Sequence, residues 1–146
     1  MIVSATTPEQ IHLAKEILLR EIGVRATADL RAIFWVNKDT KFIDWVVGYD
    51  GFVGKSCQMH VVNLGKKPTP RKLVWAAFDY PFNQAGLKVL FGIVNSNNDS
   101  AMKFDTQLGF TELSRIEGAH DDGGDIVLLT MRADDCKWTK GKKYEI

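Results

Sequence analysis

Cysteine is scarce, net charge is nearly absent, and no apolar run is long enough to cross a membrane. The 146 residues hold two cysteines, Cys57 and Cys136. These are too few and too isolated for a disulfide framework or a zinc site. Two reduced thiols fit a cytoplasmic setting. Lys and Arg number 19 against 18 Asp and Glu, a formal net charge of +1. That balance argues against a nucleic-acid binder that works by electrostatics, so nucleic acid is not the expected partner. The most apolar stretch, Phe42 to Val53, is broken by Asp44, Asp50 and two glycines. No membrane span is therefore expected. Met1 to Gln10 has no basic patch ahead of an apolar run, so no signal peptide is expected there. Repeats, low-complexity tracts and interdomain linkers are absent. So are the motifs G-x-x-x-x-G-K-[ST], G-x-G-x-x-G, H-E-x-x-H, G-x-S-x-G and paired C-x-x-C.

What is present is a chain 45% apolar and 25% charged, the balance of one folded domain spanning residues 1–146. A chain this long buries roughly 70% of its unfolded surface and needs no staple. Thr7 can cap a helix, Pro8 suits its first position, and Gln10 completes a capping box. Ile11, Ala14, Leu18 and Ile22 follow at helical spacing, and Gly23 can end the helix. Ala32–Asn37, Phe42–Gly48 and Phe52–Val62 read as three strands, with Asp50-Gly51 as a hairpin turn. Short connections make these an antiparallel meander. Asn63–Pro70 is a loop. Thr69 followed by Pro70 opens a second helix that Gly86 closes, with Pro81 shortening its last turn. Leu87–Val94 is a near-continuous apolar run, the mark of a buried strand. A third helix carries Ala101, Phe104 and Leu108 inward and stops at Gly109. Phe110–Ile116 and Ile126–Met131 are two further strands. The order α-β-β-β-α-β-α-β-β implies a right-handed crossover joining parallel strands that end at Val62 and start at Leu87.

Residues Asn98 to Phe110, with Asn98, Ala101 and Leu108-Gly109-Phe110 at fixed spacing, resemble the N-x-x-A…LGF signature of the GCN5-related N-acetyltransferases (GNAT). The helix and buried strand before it, Phe78 to Val94, resemble that family's central helix and fifth strand. The pattern is most similar to the branch of ribosomal-protein N-terminal acetyltransferases. The resemblance implies an α/β (α+β) fold: a mixed sheet with an antiparallel N-terminal half, splayed parallel central strands and helices on both faces. It also implies transfer of an acetyl or other acyl group from acyl-coenzyme A to a primary amine of a small molecule or protein. Acetyl-coenzyme A would be the cosubstrate, no metal is called for, and a homodimer is compatible.

The resemblance places Val61 and Val62 along the pantetheine arm, where both could equally be core residues. It places the pyrophosphate at the loop before the central helix, because exposed amides and a helix N-terminus attract anions. The family's glycines fall here on Lys66 and Pro68, and Pro68 and Pro70 donate no amide hydrogen. Lys66, Lys67, Arg71 and Lys72 are the expected substitutes, their charge replacing some of the lost amide contacts, and Thr69 is a further expected cofactor-binding residue. Asn98 matches a position that contacts pantetheine or caps the helix. Seven residues on, where many members carry a Tyr that protonates the departing thiolate, stands Asp105. An exposed Asp, with a pKa of about 4, is a poor donor at neutral pH, and a solvent-facing carboxylate is the simpler reading. His60, on the strand before the cofactor site, titrates near neutrality and is the candidate general base, with a structural role as the alternative.

Glu117, His120, Asp121, Asp122 and Asp125 surround Gly123-Gly124. This reads as a turn rather than a metal site, and as an acidic rim suited to a cationic amine. The tail from residue 137 to 146, with four lysines and one glutamate, reads as a solvated end. Two other readings remain open: a catalytically weak module that binds acyl-coenzyme A or a partner, and a GNAT-like nucleobase-modifying enzyme of the phage type.

Overall fold

The computed structural model describes residues 1–141. The last part of the basic tail, 142–146, lies outside the described residues. The strands are β1 (Ile2–Ser4), β2 (Arg31–Val36), β3 (Ile43–Val53), β4 (Ser56–Asn63), β5 (Val89–Asn95), β6 (Thr111–Ile116) and β7 (Ile126–Arg132). The helices are α1 (Pro8–Ile22), α2 (Arg71–Asp79) and α3 (Asp99–Leu108). All seven strands form one sheet in the order β1-β2-β3-β4-β5-β7-β6. Every neighbouring pair is antiparallel except β4 and β5. This is the mixed sheet and parallel crossover that the element order implies.

Alternation sorts the sheet into two faces. Trp45, Val47 and Tyr49 of β3, with Cys57 and Met59 of β4, pack under α2 and α3 in the larger core. Val46 and Val62 point the other way and pack with Ala14, Ile17 and Leu18 of α1. Thr7 and Gln10 form the expected capping box, with Gln10 N–H donating to Thr7 Oγ1 at 3.2 Å. The buried Tyr49 hydroxyl donates to the Ala77 carbonyl at 2.5 Å and ties β3 to α2. Trp138 Nε1 donates to the Leu108 carbonyl at 2.6 Å. The start of the tail is thus docked on α3 rather than solvated.

Other departures have clear causes. Asp50 and Gly51 do not form the hairpin turn. They lie inside β3 at an irregularity in its pairing with β4, and the chain reverses after Val53. Gly51 supplies the positive φ of 58° that this bulge requires. Thr69 does not cap α2. Pro70 occupies the cap position, and no side chain satisfies the first-turn amides. After α2 the chain widens into a π turn, Tyr80–Gln84, which accommodates Pro81 without breaking the path. The three-residue β1 carried too short a pattern to be read.

Candidate active site

The parallel strands β4 and β5 pair only at Ser56–Val89, Cys57–Leu90 and Gln58–Phe91. Beyond Gln58 they separate, while β3 stays paired to β4 as far as Asn63. The backbone of Met59–Asn63 therefore has one ladder partner instead of two. A cleft of about 440 Å³ occupies the gap. Met59, His60, Val61 and Asn63 line it from β4, and Gly92, Ile93, Val94 and Asn95 from β5. From α3 come Asn98, Phe104 and Asp105; Ile22 and Val24 close it beside α1, and His120 closes it from the β6–β7 loop.

His60 lies on the α1 face of β4. Its Nε2 is 2.7 Å from Oδ1 of Asp50, and the two side chains are 10% and 4% exposed. The second oxygen of Asp50 accepts the Thr27 amide at 3.0 Å. A buried carboxylate is tolerated only when its lone pairs are satisfied, as they are here. His60 is a partnered histidine in the wall of the cleft. Asp50 was missed in the sequence because Asp-Gly reads as turn chemistry; its place beside His60 depends on the β3–β4 register, which pairs Asp50 with Gln58.

Asp105 is not the solvent-facing carboxylate expected from its helix position. It lines the cleft and is partly buried, and loss of hydration lifts its pKa from 3.8 to about 6. A carboxyl of that strength is protonated in a useful fraction of molecules near neutrality. Asn98 does cap α3, its Oδ1 accepting the Ala101 amide at 3.1 Å, and it also lines the cleft.

The loop before α2 is anchored by Asp44. Its carbonyl accepts the amides of Leu64 and Gly65. Its carboxylate pairs with Lys67 Nζ at 3.1 Å. Lys67 is thus engaged inward and holds the loop. Gly65 is required, because an added Cβ would lie 2.5 Å from Asp44 Oδ1. Among the described residues nothing engages the charged ends of Lys66 or Arg71. Arg71 and Lys72 open α2, whose N-terminus has no side-chain cap, and Lys66 lies in the loop before it. Thr69 faces the apolar gap between β4 and α2, beside Val61 and Leu73. Val62 packs with the α1 core, so only Val61 of the two valines lines the cleft.

The β6–β7 loop is a built turn. Asp122 accepts from Asn95 Nδ2 and the Gly124 amide, both at 2.9 Å. Asp125 accepts the Gly118 amide at 3.0 Å and pairs with Arg115. These two carboxylates serve the turn, and the loop's contribution to the cleft is His120. Among the described residues its Nε2 is buried without a hydrogen-bond partner, as is Nε1 of Trp45, another wall residue. Among the described residues no group of three or more potential ligands could hold a metal ion. Cys57 is no nucleophile: burial pushes its thiol to about 12. No helix among the described residues is long and apolar enough to cross a membrane.

A seven-stranded sheet with one splayed parallel pair, a basic helix start after β4 and a histidine in the cleft wall is a specific arrangement. The dodecameric spermidine N-acetyltransferase from Vibrio cholerae superposes with a TM-score of 0.73 at 12% identity, over 92% of this chain and 94% of that one. A chimera of the Vibrio cholerae enzyme SpeG with hSSAT gives 0.71 at 13% identity, over 92% and 97%. The manganese complex of Vibrio cholerae SpeG gives 0.69 at 14%, over 92% of each chain. The chain has the GNAT fold. No protein-family model and no curated protein sequence matches it. The structural likeness establishes the architecture alone.

Proposed function

We propose that this GNAT-fold chain is an N-acyltransferase that moves an acetyl or other acyl group from acyl-coenzyme A to a primary amine. The observation that carries the reading is the cleft between β4 and β5, with His60 on its α1 face and Asp105 on its α3 face. Acyl-coenzyme A supplies the activated thioester. The residues present fit it at three points. Uncapped amides of α2 with Lys66, Arg71 and Lys72 suit a pyrophosphate. Met59–Val61, freed from pairing with β5, offers backbone groups to an extended arm. Trp45 Nε1 is a buried donor still in want of an acceptor.

The side chains then divide the proton transfers. An amine with a pKa of about 10 arrives as ammonium and must lose a proton before it can attack. His60 takes that proton. Asp105, held near pH 6 by burial, returns one to the departing sulfur. Transfer is direct within a ternary complex, consistent with the inert Cys57. The neighbours are spermidine N-acetyltransferases, which supports an amine acceptor here. The test is release of free thiol from acetyl-coenzyme A with a panel of primary amines. Amine-dependent thiol release, lowered at least tenfold in His60→Gln, supports the reading. Acetyl-coenzyme A that neither binds nor reacts at millimolar concentration refutes it and leaves a binding module of the same fold.

A further inference from the structure

We infer that Asp50 is a positioning residue that fixes the tautomer of His60, so that Nδ1 and not Nε2 accepts the acceptor's proton. The inference rests on the acyltransferase reading. Three observations carry it. Asp50 is buried and makes two directed contacts, Oδ1 to His60 Nε2 at 2.7 Å and Oδ2 to the Thr27 amide at 3.0 Å. An ionised carboxylate only accepts, so Nε2 must carry its hydrogen toward Asp50. In the neutral ring that leaves the lone pair on Nδ1, and no partner within the described residues engages it.

The second contact reaches further. Thr27 belongs to the segment between α1 and β2, whose Val24 forms part of the cleft wall. Asp29 in the same segment accepts the Gly51 and Phe52 amides at 3.1 and 2.9 Å. One buried carboxylate therefore registers His60 against the α1–β2 segment of the cleft wall. Bound in the cleft, the ammonium gives a proton to His60 Nδ1. Its nitrogen then forms a bond to the thioester carbon, the carbon–sulfur bond breaks, and the sulfur takes a proton from Asp105. The amide nitrogen then loses its second proton and His60 gives up the first; one of the two reprotonates Asp105 and the other goes to solvent, so that both side chains return to their starting states. Asp50 holds and stabilises the imidazolium that forms, which is the part a buried carboxylate plays toward a catalytic histidine.

The structure dictates what Asp50→Asn does. The Thr27 amide is a fixed donor, so the Asn carbonyl must face it. The Asn NH2 then faces His60 Nε2, which becomes the acceptor, and the hydrogen moves to Nδ1. The base is lost without removing a side chain. The expected result is a fall in kcat of roughly 100-fold or more with little change in KM for acetyl-coenzyme A. The limb of the pH–rate profile that His60 governs should also disappear. The other titratable groups lining the cleft are Asp105 from α3 and His120 from the β6–β7 loop. The Asp105 limb should remain. A variant with wild-type kcat, or with a fall that keeps the profile's shape, overturns the inference. Nitrogen-15 shifts of His60 in the wild-type protein at pH 9 decide the matter even if Asp50→Asn does not fold. A pyridine-like Nδ1 supports the inference and a pyridine-like Nε2 overturns it. Failure to bind acetyl-coenzyme A would refute the acyltransferase reading alone, since the tautomer is measured without it.

Discussion

Replacing Asp105 by Asn should stabilise the protein while impairing it, and the effect should depend on pH. Burial raises the Asp105 pKa from 3.8 to about 6. The native state therefore holds this proton more tightly than the unfolded chain does. Between those two values the folded state binds more protons, so stability falls as pH rises. Above pH 6 the full cost of burying the charge is borne. The displacement corresponds to about 3 kcal/mol. The carboxyl still touches solvent, so a gain of about 1–3 kcal/mol is expected for Asp105→Asn at pH 8. At roughly 3 °C per kcal/mol for a domain of this size, Tm should rise by about 3–9 °C. At pH 4 the gain should vanish, because wild-type Asp105 is then neutral in the folded state. The assay is thermal melting of both proteins from pH 4 to pH 8 without ligand. An offset that is the same at both ends, or a variant less stable at pH 8, would refute the desolvation argument. Thiol release should fall in the same variant if Asp105 is the proposed proton donor to the sulfur.

Gly65→Ala should loosen the loop before α2, since its Cβ would meet Asp44 at 2.5 Å and displace the Lys67 pair. A loss of about 1–3 kcal/mol and weaker binding of coenzyme A are expected; urea melts and calorimetry read both. Cys57 should resist iodoacetamide at pH 7.5 in the folded protein, with activity retained, because burial leaves almost no thiolate. Rapid labelling with loss of activity would reopen a covalent route.

The architecture was legible because its signals are local. The capping box at Thr7, the apolar run from Leu87 and the spacing from Asn98 to Phe110 each follow from short-range physics. They placed α1, β5 and α3 in their proper order. The site was legible only in part. His60 and Asp105 were named, yet their environments depend on contacts distant in sequence. Desolvation of Asp105 comes from its place in the cleft, which helix periodicity does not report. Asp50 looked like half of a turn, and Asp44 like an interruption in an apolar run. Each is in fact the buried partner of a cation or imidazole on a neighbouring segment. Among the five basic-loop residues, sequence could not tell Lys67, turned inward, from Lys66 and Arg71. His120 was lost among the carboxylates around it, though it alone of that group lines the cleft.

The central claim is that acyl-coenzyme A binds in the split between β4 and β5 with its phosphates on the start of α2. Calorimetric titration of acetyl-coenzyme A into the wild-type protein and into the Lys66→Glu/Arg71→Glu double variant tests it most directly. The account predicts saturable binding that weakens at least tenfold in the variant, with Tm unchanged and the effect shrinking at high salt. No heat with the wild-type protein at millimolar ligand, or equal affinity in both, would contradict it.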